Sequence, residues 1–457
     1  MDQIRKLGNR LKREWIEFYM KVDWTYVTMI SLVLLCYLLV HDLVGETLLK
    51  TNSWDSYSLQ TRRWLEGEVA LERNYGHLEL AIYKGRYFVS FPPFPSVLLI
   101  PWVLIYEEFT PNNIIMIIYV VIAITLAYKI CKHFKMRNVL CAFWSVVVVL
   151  GCNMMWMSTM GGVWFQAQLV NMMLLLAAIL SMLNNKRILS YIFVACAVGC
   201  RPFSILYFFV LLVYYFNMDY KEYRDNRHNI DKKDSDIDNQ EENVVLENNA
   251  ILYFKLIMNQ FNGLVSAAII GMGYMLYNYA RFDNPLEFGH NYLPEFVESK
   301  DGQFNISYLL TNLYRVFIKG IKLKDNMGIE FTIYDGFWVH IANPIYILLY
   351  ASIIISLYRI IKKGYKIDAI KITIIITLVT NIICLCLHKT MGGWQFGNRY
   401  LVDLIPFIFL YIILTKKQVG KINKLSRFEI FVGLAALIFN AYGTAFMYVN
   451  DLLEKMV

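Results

Sequence analysis

Apolar runs separated by short polar connections dominate the chain. They cover approximately residues 25–45, 94–106, 113–131, 138–156, 164–183, 188–200, 203–217, 256–280, 337–360, 367–388, 399–415 and 428–449. Most are long enough to cross a hydrocarbon layer of roughly 30 Å as helices. The run at 94–106 is the exception. It is short, opens on Phe91-Pro92-Pro93-Phe94-Pro95 and contains Pro101, so it predicts a helix lying in or re-entering the outer interface. The expectation is an all-α polytopic membrane protein with about eleven transmembrane helices.

The polar pattern orients these runs. Arg5, Lys6, Arg10, Lys12 and Arg13 precede the first run, and basic residues recur at Lys132/Lys135/Arg137, Lys186-Arg187, Lys362-Lys363-Lys366 and Lys416-Lys417-Lys421-Lys424. All of these fall on the cytoplasmic side if 94–106 does not cross, as the excess of Lys and Arg on that side requires. The N-terminus is then inside. Four polar loops (46–93, 156–163, 281–336 and 388–398) and the Arg201-Pro202 turn are outside. No cleavage site follows the first run, which is expected to stay as an anchor. Residues 1–217 read as an N-terminal module whose first outer loop spans 46–112. Residues 218–250, charged and rich in Asn and Asp, read as a flexible cytoplasmic loop, and 251–457 as a C-terminal transmembrane module.

Composition adds little to this picture but excludes some classes. The chain is 57% hydrophobic with a net charge of +8. The basic residues sit in the short inner loops, so nucleic acid is not the expected partner. The eight cysteines lie in or beside apolar runs, which argues against a disulfide framework or a zinc site.

Candidate chemistry gathers on the outer side. Asn52 to Pro101 is too long and too charged for a simple connection. Asp55 follows the interfacial Trp54. Partial desolvation would raise its basicity and suit it to taking a proton from a sugar or alcohol hydroxyl; capping a helix through Tyr57 to Gly67 is the structural alternative. His77, Glu79, Tyr83 and Tyr87 alternate around a turn-like Lys84-Gly85, which predicts a β-hairpin. Trp164 and Gln166, and Trp394 in a later outer loop, are sugar-contact candidates. Arg201, Arg399 and Arg281 end or open spans at the outer face. There each either snorkels to lipid headgroups or holds an anion such as a lipid phosphate, and for Arg399 pairing with Asp403 is a further option. Gly392, Gly393 and Gly397 permit a tight backbone before Arg399.

Taken in order, Trp54-Asp55-Ser56-Tyr57, Arg63-Trp64-Leu65-Glu66-Gly67, the hairpin from Leu80 to Phe88, the proline-rich opening at 91–95, Gly199-Cys200-Arg201-Pro202, the segment 277–289 and Phe396-Gly397-Asn398-Arg399-Tyr400 resemble the GT-C superfamily of membrane glycosyltransferases. They look most like the bacterial branch related to protein O-mannosyltransferases and lipid A aminoarabinose transferases (glycosyltransferase family 39-like). The resemblance implies a GT-C-like helix bundle in the cell membrane with an extracytoplasmic active site. It implies a polyprenyl-phosphate-linked sugar as donor and a glycan, lipid or protein as acceptor. It implies an inverting mechanism with Asp55 as general base, Arg201, Arg399 and Arg281 at the donor phosphate, and His77, Glu79, Tyr83, Trp164, Gln166 and Trp394 at the substrates. Many relatives carry paired acids after the first span, where this chain has Asp55 alone. The segment Gly161-Gly162-Val163-Trp164-Phe165-Gln166 also lacks the acid of metal-dependent relatives, so no cofactor is expected and a divalent cation is not favoured. Competing readings are a lipid-linked sugar transporter or flippase, and a non-catalytic lipid-glycan binding protein.

Overall fold

The hydrophobic runs become helices in the computed structural model, which describes residues 22–43, 45, 48–234, 249–323, 329–366 and 368–456. The basic N-terminal segment invoked for orientation lies outside the described residues, except for Val22 onward. The principal helices are α1 (Trp24–Leu43), α2 (Ser56–Leu65), α3 (Phe94–Tyr106), α4 (Asn112–His133), α5 (Asn138–Leu150), α6 (Val163–Leu183), α7 (Arg187–Val198), α8 (Phe208–Asp234), α9 (Asn249–Met258), α10 (Phe261–Phe282), α11 (Leu309–Phe317), α12 (Ile345–Lys363), α13 (Ala369–Cys386), α14 (Ile405–Gln418) and α15 (Arg427–Met456).

Among the described residues, seven helical segments are long and apolar enough to cross a membrane unaided, or eight when α9 and α10, bent by 44° at their junction, count as one. The eleven expected spans include these and segments too short to cross alone. Among the latter, α5 and α7 have 13 and 12 residues. α6 is the central helix: 83% of its most apolar window is buried, against 22% for α1, which faces outward. The proline-bounded α3 has 13 residues and packs on α2, consistent with a helix that does not span.

Two local expectations are met in detail. Asp55 caps α2, and β1 (Leu80–Tyr83) pairs antiparallel with β2 (Arg86–Val89), Tyr83 facing Arg86. Lys84 and Gly85 between them have φ of 49° and 73°, the left-handed pair that a two-residue hairpin turn needs. The charged stretch after Asn217 differs from expectation. α8 continues through it to Asp234, so the first half of the expected flexible loop is helical; residues 235–248 lie outside the described residues. Phe208 to Asp234 contains no Gly or Pro, and its Lys, Glu and Arg residues are good helix formers despite their polarity.

The loops expected on the outer side meet one another. Val163 N donates to Trp54 O (3.0 Å), Asp335 N to Gly392 O (3.3 Å), Lys389 N to Gln303 O (2.9 Å) and the Arg281 guanidinium to Val89 O (2.8 Å). Four loops distant in sequence thus build one polar cap over the helix ends.

Candidate active site

Asp55 is buried, with 4% of its surface exposed, and both carboxylate oxygens are occupied. Oδ1 accepts from Tyr57 N (3.1 Å), Ser58 N (3.3 Å) and Gln166 Nε2 (2.8 Å). Oδ2 accepts from Ser58 Oγ and Asn112 Nδ2. Burial pushes the carboxyl up to about 6, and the bonds from Ser58, Gln166 and Tyr57 restrain that rise. Gln166 also donates to Gly161 O at 2.8 Å, so it links α6 to Asp55 rather than facing open space. Asp55 lines neither of the cavities described next, although its neighbour Trp54 lines the first.

The first cavity, about 750 Å³, is walled by Trp54, His77, Glu79, Trp164, Trp394 and Arg399, among others. Trp54 lies 5.7 Å from the Trp164 ring and 5.6 Å from that of His77. Trp394 packs edge-on against Trp156 at 5.3 Å. Glu79 accepts from Trp164 Nε1 at 3.0 Å, and His77 Nε2 lies 3.0 Å from Ser53 O. His77 and Glu79 therefore reach this wall from the approach to β1 rather than from a strand face.

Arg399 is held by its backbone. Its N–H donates to Gln395 Oε1 (3.0 Å), and its carbonyl accepts from Gln168 Nε2 (2.8 Å). Its guanidinium, in a residue only 5% exposed, forms no hydrogen bond or ion pair among the described residues, and Nε is buried without a partner. It sits 5.9 Å from the Trp164 ring and 5.3 Å from that of Tyr400. Gly392, at φ +101°, makes room for it: a Cβ there would stand 3.0 Å from Arg399 Nε.

The second cavity, about 540 Å³, is lined by Arg201, Asp403, Glu287, His290, His388 and Tyr400 within apolar walls. Arg201 Nε donates to Asp403 Oδ2 at 2.7 Å, and its guanidinium lies 4.7 Å from the Tyr400 ring. Asn171 Nδ2 donates to Asp403 Oδ1 at 3.1 Å. Burial pulls His290 down to about 3 and His388 to about 4, so both imidazoles are neutral at physiological pH.

The structure thus brings His77, Glu79, Trp164, Trp394 and Arg399 to one cavity and Arg201 to its neighbour. It does not bring Arg281 or Tyr83 there. Arg281 is buried, donates to Val89 O and Asn278 Oδ1 (both 2.8 Å), and ties the hairpin to α10. The Tyr83 hydroxyl donates to Asp283 at 3.1 Å on the exposed side of the hairpin. Asp403 pairs with Arg201, not with Arg399. Arg399–Leu404 is a 3-10 helix, in which residue i+4 is turned about 120° from i, so the spacing that would pair them on an α-helix separates them here. Glu287, His290, His388 and Tyr400 were not anticipated. Glu287 lies in the segment 277–289 that carries the resemblance, but His290, just beyond it, has no signal of its own; Tyr400 adjoins Arg399, and an arginine flanked by an aromatic was a usable signal.

No family model and no curated protein sequence matches the chain. Among solved structures, ArnT from Cupriavidus metallidurans bound to undecaprenyl phosphate is similar at 12% identity and TM-score 0.46, over 89% of this chain and 62% of that one. The apo state of ArnT gives 10% and 0.48, over 92% of this chain and 75% of that one. The apo oligosaccharyltransferase from Archaeoglobus fulgidus gives 14% and 0.43, over 94% and 56%. These neighbours are GT-C superfamily membrane glycosyltransferases. The chain spans about three fifths of the length of the first of them.

Proposed function

We propose that this protein is a membrane glycosyltransferase that moves a sugar from a polyprenyl-phosphate donor to an acceptor hydroxyl at the outer membrane face. The observation that carries the reading is the unpaired Arg399 guanidinium in a cavity walled by Trp54, Trp164 and Trp394. A desolvated arginine without a counterion is costly unless an anion joins it, and its planar fork suits a phosphate. Indole faces beside it suit the apolar faces of a sugar ring. The ArnT structure bound to undecaprenyl phosphate, and a structure of the Archaeoglobus fulgidus oligosaccharyltransferase AglB in complex with dolichol-phosphate, hold lipids of the class proposed here.

In this scheme the donor phosphate lies on Arg399, and Arg201, with its Nε engaged by Asp403, presents its remaining donors from the adjoining cavity. Asp55 takes the acceptor's proton. For this the acceptor hydroxyl displaces Gln166 Nε2, the donor that keeps a second partner at Gly161 O. The acceptor oxygen attacks the anomeric carbon from the face opposite the phosphate, the bond to the phosphate oxygen breaks, and polyprenyl phosphate leaves with the electron pair. The new charge develops beside the guanidinium groups, which therefore stabilise the transition state more than the ground state. A single displacement inverts the anomeric centre.

The saturation of Asp55 by five donors and its absence from both cavity walls favour one second reading, a protein that binds a lipid-linked sugar without transferring it. Transfer assays with a panel of polyprenyl-phosphate sugars separate the two. Turnover by the wild type, reduced by about 10²–10⁴-fold in Asp55→Asn, is expected. Donor binding without turnover on any acceptor would leave only the binding reading.

A further inference from the structure

Another buried cation, Lys371, lies at the opposite ends of the helices that reach the cavities. α13 runs from Asp368, its cap, to Cys386 beside the His388 wall, so Lys371 in its first turn stands about 25 Å from the outer cap. Lys371 is 5% exposed. Its Nζ donates to Ser356 Oγ (2.5 Å) and Gln418 Oε1 (3.0 Å) and lies 4.9 Å from the Tyr411 ring. Both hydrogen-bond partners are neutral, and an ammonium has a third proton to place. Asp368 and then Arg359 act on it electrostatically; the Arg359 guanidinium lies 3.9 Å from the Tyr365 ring, and its Nε is buried without a hydrogen-bond partner among the described residues. The nearest acid, Asp368, spends Oδ1 on the N–H groups of Ile370 (3.0 Å) and Lys371 (3.4 Å).

Lys371, its two hydrogen-bond partners, Tyr411 and Asp368 line a pocket of about 200 Å³. One wall is polar: Ser356, Asp368, Lys371, Tyr411 and Gln418. The other is apolar and includes Leu357, Ile372 and Ile376, which are 50%, 43% and 60% exposed on the outside of the bundle. Lys366 stands at the mouth, with Lys362 and Lys363 on the adjoining end of α12. Lys371 and Lys366 both line this pocket and neither forms an ion pair among the described residues, although Asp368 lines it too; the pocket is charged at its base and apolar towards the lipid-facing side. A soluble anion would use only the first half of that wall. A molecule with a phosphate and acyl chains uses both.

We infer that this pocket binds an anionic phospholipid, with its phosphate on Lys371 and Lys366 and its acyl chains running along Ile372 and Ile376. Basic pockets between helix ends hold such headgroups by charge. The site is far from the outer cavities and takes no part in the transfer scheme.

The full-length protein is reconstituted in nanodiscs of phosphatidylcholine alone or with phosphatidylglycerol, and co-purifying lipid is measured by native mass spectrometry together with the Tm. The wild type is expected to retain phosphatidylglycerol in preference to phosphatidylcholine and to melt higher in its presence. Lys371→Gln should lower that preference about tenfold. Ile376→Trp, which narrows the apolar wall and leaves Lys371 in place, should lower it as well. Equal retention of both lipids by the wild type, or an unchanged preference in Lys371→Gln, overturns the inference. So does a Tm rise from inorganic phosphate equal to that from phosphatidylglycerol, since the acyl chains would then contribute nothing.

Discussion

Replacing Asp55 separates its capping role from its proposed role as base, because two substitutions divide the effects differently. Burial lifts the carboxyl from 3.8 to about 6. The folded state therefore favours the protonated form. That contribution to stability is complete below about pH 4 and is lost as pH rises through 6, so at pH 7 the ionised group costs the fold about 3 kcal/mol. Asp55→Asn removes this cost. It keeps an oxygen for Tyr57 N and Ser58 N but turns an amide towards Asn112 Nδ2, stranding that donor at about 1–3 kcal/mol. The two terms nearly cancel, and Tm should stay within about 3 °C of the wild type. Asp55→Ala also relieves the charge, but it loses the cap, at about 0.5–2 kcal/mol, and strands Asn112 and Gln166 together, so it should melt clearly lower. Transfer should fall by about 10²–10⁴-fold in both. Radiolabelled sugar transfer in detergent, normalised to folded protein, reads the outcome. Wild-type turnover by Asp55→Asn, with loss confined to Asp55→Ala in step with its Tm, would refute the base and leave only the cap.

Further outcomes follow from the same geometry. The kcat/KM of the wild type should rise with pH through an apparent pKa near 6, because the ionised form of Asp55 is the active one; a limb near 4, where an ordinary carboxylate titrates, would place the base elsewhere. Asp403→Asn leaves Arg201 half-desolvated without its carboxylate and should cost about 3–5 kcal/mol, read as a fall in Tm that Arg201→Met/Asp403→Leu partly restores. Gly392→Ala puts a Cβ 3.0 Å from Arg399 Nε at a φ of +101°, and should raise the KM for donor more than it lowers kcat. Trp164→Phe removes the N–H that holds Glu79 and should weaken sugar-donor binding while leaving binding of the sugar-free lipid phosphate unchanged, measured by competition.

Much of the architecture was legible because each element carried its own local signal. Asp55 before Ser56 announced the start of α2, Lys84-Gly85 the hairpin, and three prolines in five residues the short α3. The gathering of Glu79, Trp164 and Arg399 in one cavity followed from placing their loops on one side of the membrane. Pairings set by tertiary packing were not legible. Asp403 went to Arg201 because a 3-10 turn rotates it away from Arg399, and no sequence period distinguishes that turn from the helix that follows it. Arg281 looked like the other interfacial arginines until the hairpin carbonyl of Val89 took its guanidinium. The continuation of α8 was hidden by reading charge as disorder, when the absence of Gly and Pro was the better guide.

Binding of undecaprenyl phosphate by the wild type and by Arg399→Gln, measured by microscale thermophoresis in the same detergent, tests the central claim most directly. An unpaired guanidinium that holds the donor phosphate predicts at least a tenfold weaker Kd for the variant, with its Tm preserved or raised because a buried charge has gone. Equal affinity for the two proteins would contradict it.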